Sequence, residues 1–112
     1  MAEISVVDVQ TASARCTAGA VLLDVREPQE WEAGHAVDAT WIPMSEISER
    51  HTELPADRDI YVICRSGGRS LRVAEALQAW GYTAHNVDGG SLAWSEAGLP
   101  FVDTVGNPGV VH

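Results

Sequence analysis

A cysteine that begins a loop rich in glycine and arginine is the feature of this chain best suited to chemistry. The loop follows the apolar run at residues 60–63 and consists of Cys64, Arg65, Ser66, Gly67, Gly68, Arg69 and Ser70. An amphipathic helical pattern follows it at residues 71–80. Backbone N–H groups at a helix N-terminus bind anions and lower the pKa of a cysteine, and the thiolate is the reactive form. The pattern therefore predicts that Cys64 is a nucleophile.

The remaining residues of the loop are of types that suit an anionic sulfur. Gly67 and Gly68 let the backbone turn and approach the sulfur closely, so that a nest of N–H groups would surround a thiolate. Two arginines and two serines add cationic and hydroxyl donors. The alternative interpretation is that Cys64 is a buried apolar residue, which is the common role of a lone cysteine. The whole loop, in its strand-to-helix context, favours catalysis.

The elements that must position this loop are short apolar runs alternating with helical patterns. The predicted strands lie at residues 4–7, 21–23, 40–42, 60–63 and within 82–87. The predicted helices lie at residues 9–18, 28–33, 46–54, 71–80 and 91–96, with Asp8 and Ser45 as caps of the first and third. Repeated strand–helix units predict a parallel sheet with helices on both faces. Such sheets bind ligands beyond the carboxyl ends of their strands, which is where Cys64 lies.

Composition excludes several functional classes. A chain of 112 residues fits one domain. The net charge of −9, with no cluster of basic residues outside the loop, argues against nucleic-acid binding. The longest apolar run is too short to span a membrane, and the start of the chain lacks the features of a secretory signal. A reducing, cytoplasmic location is therefore expected.

The second cysteine and the remaining aromatic and histidine residues have structural interpretations. Cys16 lies in an alanine-rich helical pattern and is predicted to be a small, partly buried residue. Neither the cysteines nor the four histidines have the spacing of a metal site. The tryptophans are predicted to be core or half-buried packing residues, and they are Trp31, Trp41, Trp80 and Trp94.

Four separated pieces of the sequence, in order, resemble the rhodanese family in its single-domain form. They are residues 24–27 with Trp31, Gly34 and His35; Ile42 with Pro43; the loop at residues 64–70; and residues 88–90 with Ala93, Trp94 and residues 98–100. The resemblance spans residues 21–100. It departs from the family pattern at residues 36–39, where a glycine more often precedes the alanine, and at Trp41.

This resemblance implies a three-layer α/β fold, with a central, mostly parallel five-stranded sheet and helices on both faces. Residues 1–100 would form a single rhodanese-like domain. Residues 101–112 would form a C-terminal tail, which is either flexible or a short surface wrap.

The resemblance also implies a sulfurtransferase activity that needs no metal or organic cofactor. Cys64 would take the outer sulfur of thiosulfate or a similar donor, and the resulting persulfide would pass it to cyanide or a thiol. A sulfur-accepting protein is a further candidate partner. The six loop residues after the cysteine would bind the donor, and they are Arg65, Ser66, Gly67, Gly68, Arg69 and Ser70. Two arginines favour a small dianionic donor over 3-mercaptopyruvate.

Two other functions remain possible within this resemblance. The first is a persulfide carrier or a non-catalytic module that docks on a protein partner, although the intact cysteine loop favours activity. The second is a phosphatase or an arsenate reductase. Four residues separate Cys64 from Arg69 here, whereas the phosphatase-type signature has five. The shorter loop predicts a tighter cup, sized for a sulfur on the cysteine.

Individual residues around the loop have competing interpretations. Arg69 is expected to contribute more to donor binding than Arg65, and the alternative is that it neutralises an acidic neighbour. Ser70 is predicted to cap the helix rather than to act in catalysis. Asp24 and Arg26 are predicted to form a structural ion pair, and His35 is predicted to order a turn.

Overall fold

The computed structural model describes residues 3–112 and has a parallel five-stranded sheet at its centre. In spatial order the strands are β1 (Ser5–Val7), β6 (Ala84–Val87), β5 (Ile60–Ile63), β2 (Val21–Asp24) and β4 (Thr40–Trp41). Every neighbouring pair among them is parallel. The predicted α/β fold is confirmed. The first two residues of the predicted domain lie outside the described residues.

The α-helices of residues 3–112 lie around this sheet. They are α1 (Val9–Thr17), α2 (Pro28–Ala33), α3 (Ile47–Arg50), α4 (Gly68–Ala79) and α5 (Gly90–Glu96). Side chains on successive residues of a strand point to opposite faces, so each strand contributes to two cores. Val62 packs in the cluster that includes Ile47, Val73 and Leu77. Tyr61 and Ile63 pack in the other cluster, with α1 and α5, and both faces of β5 are therefore buried.

The first two helices begin as the sequence predicts. Asp8 caps α1, because its carboxylate oxygen Oδ1 accepts a hydrogen bond from the Thr11 N–H at 2.8 Å. Pro28 occupies the first turn of α2, where its missing N–H costs nothing, and Glu27 and Glu30 form a capping box.

The predicted third helix is wrong in its start and in its continuity. Ser45 lies inside a 3₁₀ turn (Met44–Glu46) and makes no cap, and a second 3₁₀ turn (His51–Glu53) follows the four-residue α3. The N–H of Glu46 bonds to the carbonyl of Pro43 at 2.8 Å, which is the i→i+3 pattern of a 3₁₀ turn. The chain therefore begins this segment directly at Pro43 without needing a polar cap.

The longest helix, α4, begins three residues earlier than predicted. Gly67 is its N-cap residue with φ +116°, a conformation that glycine adopts without steric cost. Gly68, Arg69 and Ser70 therefore belong to the helix.

The prediction that Trp80 is a core or half-buried packing residue is wrong. This C-cap residue of α4 is 44% exposed and stacks on His51 at the surface.

The C-terminal residues lie along the surface and are hydrogen-bonded to the domain. Strands β3 (His35–Ala36) and β7 (Phe101–Val102) form an antiparallel pair that the sequence analysis missed, because two-residue strands carry no periodic signal. The N–H of Val110 donates to the carbonyl of Ala33 at 3.0 Å. These hydrogen bonds join the C-terminal residues to β3 and to the end of α2. Within residues 3–112 no helix is long and apolar enough to cross a membrane.

Candidate active site

Cys64 lies directly after β5, at the floor of the loop that leads into α4. Cys64 is almost completely buried, with only 1% of its surface exposed. The sulfur Sγ accepts a hydrogen bond from the backbone N–H of Gly67 at 3.1 Å and lies 3.2 Å from Ser70 Oγ. The residues that follow Cys64 are more open, since Arg65 and Ser66 are both exposed. The sulfur is thus surrounded by donors from one turn of chain.

These donors decide the ionisation of the cysteine. Burial of Cys64 disfavours the thiolate and acts to raise the pKa of the thiol. The Ser70 hydroxyl and backbone N–H groups, Gly67 N–H among them, hydrogen-bond the thiolate and outweigh burial. The pKa of Cys64 therefore lies below its ordinary value, which increases the nucleophilic fraction at neutral pH.

Ser70 contacts the sulfur and does not cap α4, so its predicted role as a cap is wrong. The helix starts at Gly67 without a side-chain cap. Ser70 is fully buried, and its Oγ lies 2.6 Å from Asn86 Oδ1 on β6. Asn86 is not among the residues that the sequence predicts for the site. The available signal was a lone amide in a buried strand that pairs with β5, where Asn86 lies beside Val62.

Arg69 is held in a two-pronged ion pair with Glu30 of α2. Its Nη1 and Nη2 atoms donate to Glu30 Oε1 and Oε2 at 2.7 and 2.8 Å. The hydrogen-bonded Arg69 guanidinium lowers the pKa of Glu30 to about 2, against the opposing effect of burial. Both ends of the Arg69 fork are therefore engaged by an acidic neighbour, which is the alternative role considered for this residue. Glu30 is likewise absent from the site residues predicted from sequence.

Arg65 is held differently, by the tail. Its Nε donates to a main-chain oxygen of His112 at 3.0 Å. Its two Nη groups make no hydrogen bond within residues 3–112. The Nη groups of Arg65 are therefore open to an anionic donor, whereas both Nη groups of Arg69 are bound to Glu30, which gives a reason to rank Arg65 above Arg69 as a ligand for that donor.

Residues 24–35, which include the first of the four pieces of the family resemblance, connect the end of β2 with α2. Arg26 is fully buried and donates from Nη2 to Asp24 Oδ2 at 2.8 Å and to the carbonyl of Gly34 at 2.7 Å. This pair ties the end of β2 to the end of α2, as predicted for a structural ion pair. His35 stacks on Trp31, with ring centroids 3.5 Å apart, and its Nδ1 lies 2.7 Å from the Trp31 carbonyl oxygen.

Helix α5 holds the backbone of the loop from the other side. The N–H groups of Ser91 and Leu92 donate to the carbonyls of Cys64 and Arg65 at 2.8 and 3.1 Å. A Cβ on Gly90 would collide with the same two carbonyls, so only glycine allows this approach.

Cys16 lies apart from this site. It lines a cavity with Val21 and Arg58, at the amino ends of β2 and β5, whereas Cys64 lies at the carboxyl ends. Burial raises the pKa of Cys16 to about 11, so its thiol is protonated at neutral pH. That cavity offers no activated nucleophile. No cluster of metal-ligating side chains occurs in the part of the chain that the structure describes.

Comparison with known proteins decides the family. A model of the rhodanese-like domain matches residues 8–97. The chain belongs to the rhodanese-like family. A protein named sulfurtransferase from Allochromatium vinosum is 38% identical to this rhodanese-like chain over 102 residues, which cover 88% of the chain and 95% of the relative. Thiosulfate sulfurtransferase GlpE of Pseudomonas syringae pv. syringae is 33% identical over 95 residues, which cover 84% and 90%.

Solved structures agree with the fold. The crystal structure of a rhodanese-related protein from Thermoplasma volcanium superposes with a TM-score of 0.82 at 34% identity. The match covers 88% of this chain and 97% of that protein. The resemblance to the rhodanese family and the five-stranded α/β fold are thereby confirmed.

Proposed function

We propose that this rhodanese-like protein transfers a sulfane sulfur from thiosulfate, or a similar anionic donor, through a persulfide on Cys64. The acceptor is a thiophilic nucleophile such as cyanide or a thiol. The observation that carries the proposal is the environment of Cys64 Sγ. A buried sulfur at a helix N-terminus accepts hydrogen bonds that stabilise its thiolate, with Arg65 and Arg69 nearby as cations.

In the first half-reaction, the Cys64 thiolate attacks the outer sulfur of thiosulfate. A new S–S bond forms to Sγ, the S–S bond of thiosulfate breaks, and sulfite leaves with the bonding electron pair. Arg65 is the cation best able to bind the donor oxygens, since its Nη groups are free of protein partners in the described chain. Ser66, exposed beside it, and the N–H groups of Gly67 and Gly68 would complete the donor site.

In the second half-reaction, the acceptor attacks the outer sulfur and Cys64 leaves as a thiolate. The Gly67 N–H and the Ser70 hydroxyl that stabilise the attacking thiolate also stabilise this leaving group. Arg69, which interacts with the charge on Cys64, would favour the thiolate at both stages. The cysteine and the two substrates complete both steps, so the proposed chemistry requires no metal or organic cofactor.

The short loop favours this chemistry over phosphoryl transfer. Only four residues separate Cys64 from Arg69, and α5 fixes the backbone at the start of the loop through Gly90.

A mechanism that needs a free thiol also fits a reducing compartment such as the cytoplasm. Both cysteines are free within the described chain.

Intact-mass spectrometry before and after incubation with thiosulfate tests the proposal. We expect the mass to increase by one sulfur atom, to return to its original value with cyanide, and to stay constant in Cys64→Ala. Cys16→Ala is the matched control and should still gain the sulfur. A gain that maps to Cys16, or no gain at all, would contradict the assignment. A stable persulfide that neither cyanide nor a small thiol removes would instead indicate a carrier for a protein acceptor.

A further inference from the structure

One hydroxyl in the site faces two acceptors. Ser70 Oγ lies 3.2 Å from Cys64 Sγ and 2.6 Å from Asn86 Oδ1. A serine hydroxyl has a single hydrogen, so it can be donated to only one of the two atoms at a time. Ser70 is fully buried and Asn86 is 5% exposed, which keeps bulk water from serving as a substitute partner. The state of Cys64 must therefore be coupled to the direction of this hydrogen.

The orientation of the Asn86 amide is fixed by its other end. Asn86 Nδ2 donates to the carbonyl of Gly67 at 3.1 Å, so Oδ1 is the atom that faces Ser70. The amide oxygen carries no hydrogen and can only accept, and the amide cannot turn without losing its bond to the loop. Asn86 thus presents Ser70 with a permanent, neutral acceptor that competes with the sulfur.

We propose that Asn86 is a positioning residue that holds the Ser70 hydroxyl hydrogen while Cys64 is uncharged and yields it when the sulfur becomes negative. With Cys64 protonated, the short contact to Asn86 Oδ1 takes the hydrogen, and the thiol S–H is free to donate to Ser70 Oγ. With Cys64 ionised, the charged sulfur is the stronger acceptor and the hydroxyl rotates toward it. Only a rotation of the hydroxyl is involved, and Ser70 neither gains nor loses a proton.

In the catalytic cycle this rotation would follow the charge, a consequence that rests on the proposed function. Formation of the persulfide moves the negative charge from Sγ to the outer sulfur, about 2 Å away from Sγ. Sγ is then neutral, and the hydroxyl hydrogen returns to Asn86. When the acceptor removes the outer sulfur, the charge reappears on Sγ and the hydrogen rotates back. Asn86 therefore weakens the stabilisation of the thiolate by one competing hydrogen bond.

Charged groups around Cys64 are few and remain the same in the variants that test this proposal. Arg69 of α4 interacts directly with the charge on Cys64, and Glu30 of α2 is paired with that arginine. Arg65 follows the cysteine in sequence. Since no substitution below touches these three residues, changes in the titration of Cys64 report on the hydrogen bonds to its sulfur.

A double-mutant cycle on Ser70 and Asn86 tests the proposal. The rate of Cys64 alkylation by iodoacetamide is measured against pH, with the modified peptide identified by mass. Asn86→Leu, which removes the competing acceptor at similar volume, should lower the midpoint of the profile by roughly half to one pH unit, or three- to tenfold in the thiolate–thiol equilibrium. Ser70→Ala should raise the midpoint. In the Ser70→Ala background, Asn86→Leu should have no further effect.

Asn86→Ala serves as a second substitution in case the Asn86→Leu variant does not fold. Asn107→Leu, which changes an exposed residue of the tail, is the matched control. An equal shift from the Asn86 substitution with and without the Ser70 hydroxyl would overturn the proposal, because Asn86 would then act through Gly67. An unchanged midpoint in the variant that retains Ser70 would also overturn it. Alkylation needs no sulfur donor, so this result stands apart from whether the protein transfers sulfur.

Discussion

Replacing Arg69 by alanine should destabilise the protein by an amount that depends on pH, because Glu30 loses its cation. The Arg69 guanidinium lowers the pKa of Glu30 to about 2, from an ordinary value of 4.5. Each pH unit of such a difference corresponds to about 1.4 kcal/mol, so the depressed pKa represents roughly 3 kcal/mol. Because the Arg69 side chain is 35% exposed, solvent screens part of this energy. We expect Arg69→Ala to lower the free energy of unfolding by about 2 kcal/mol at pH 7.

The sign of the pH dependence follows from the depressed pKa of Glu30. A group whose pKa is lower in the folded state contributes its full stabilisation above its unfolded pKa, here 4.5. That contribution is lost as the pH falls from 4.5 toward 2. The difference in stability between the native protein and Arg69→Ala should therefore be largest at neutral pH and should shrink steadily below pH 4.5.

Urea denaturation at several values between pH 7 and pH 3 measures this difference. Arg50→Ala is the matched control, since Arg50 also pairs with glutamates but through exposed side chains at Glu46 and Glu53. That variant should lose less stability than Arg69→Ala at pH 7, because solvent screens ion pairs between exposed side chains. A loss in Arg69→Ala no larger than in Arg50→Ala, or one that is the same at pH 3 as at pH 7, would refute the reasoning.

Three further results are expected. Arg65→Ala should slow persulfide formation from thiosulfate by about tenfold or more, whereas Arg72→Ala, an equal loss of charge on the exposed face of α4, should change the single-turnover rate little. Gly90→Ala should reduce both the thermal midpoint and the reactivity of Cys64, because the added Cβ collides with the loop backbone; retention of both would contradict the tight approach. At pH 7, iodoacetamide should modify Cys64 well before Cys16, whose pKa of about 11 leaves it protonated, and peptide mapping of the alkylated protein decides the order.

Features encoded by neighbouring residues were predictable from sequence. The strand that precedes Cys64, the glycine-containing loop and the cap at Asp8 all depend on contacts within a few residues. Helix starts that depend on backbone geometry were harder to predict from the sequence. The start of α4 is set by the left-handed conformation of Gly67, and an error of three residues there turned Ser70 from a residue beside the sulfur into a cap.

Contacts between distant residues could not be read from local patterns. Asn86 reaches Ser70 across 16 residues, and Glu30 reaches Arg69 across 39. Each of these residues has an ordinary local role, one within a strand and the other within a capping box. Their importance to the site depends on where the sheet places β6 and α2 relative to the loop, which only the folded structure specifies.

The hydrogen bonds from α5 to the loop have a consequence for when Cys64 becomes reactive during synthesis. During synthesis, Cys64 leaves the ribosome before the Ser91 and Leu92 N–H groups that fix its carbonyl and that of Arg65. Strand β6, which pairs with β5, also follows the loop in the chain. A nascent chain that stops before Gly90 should therefore carry a cysteine with the reactivity of an ordinary thiol. The nucleophile would be activated only when nearly the whole domain has been made.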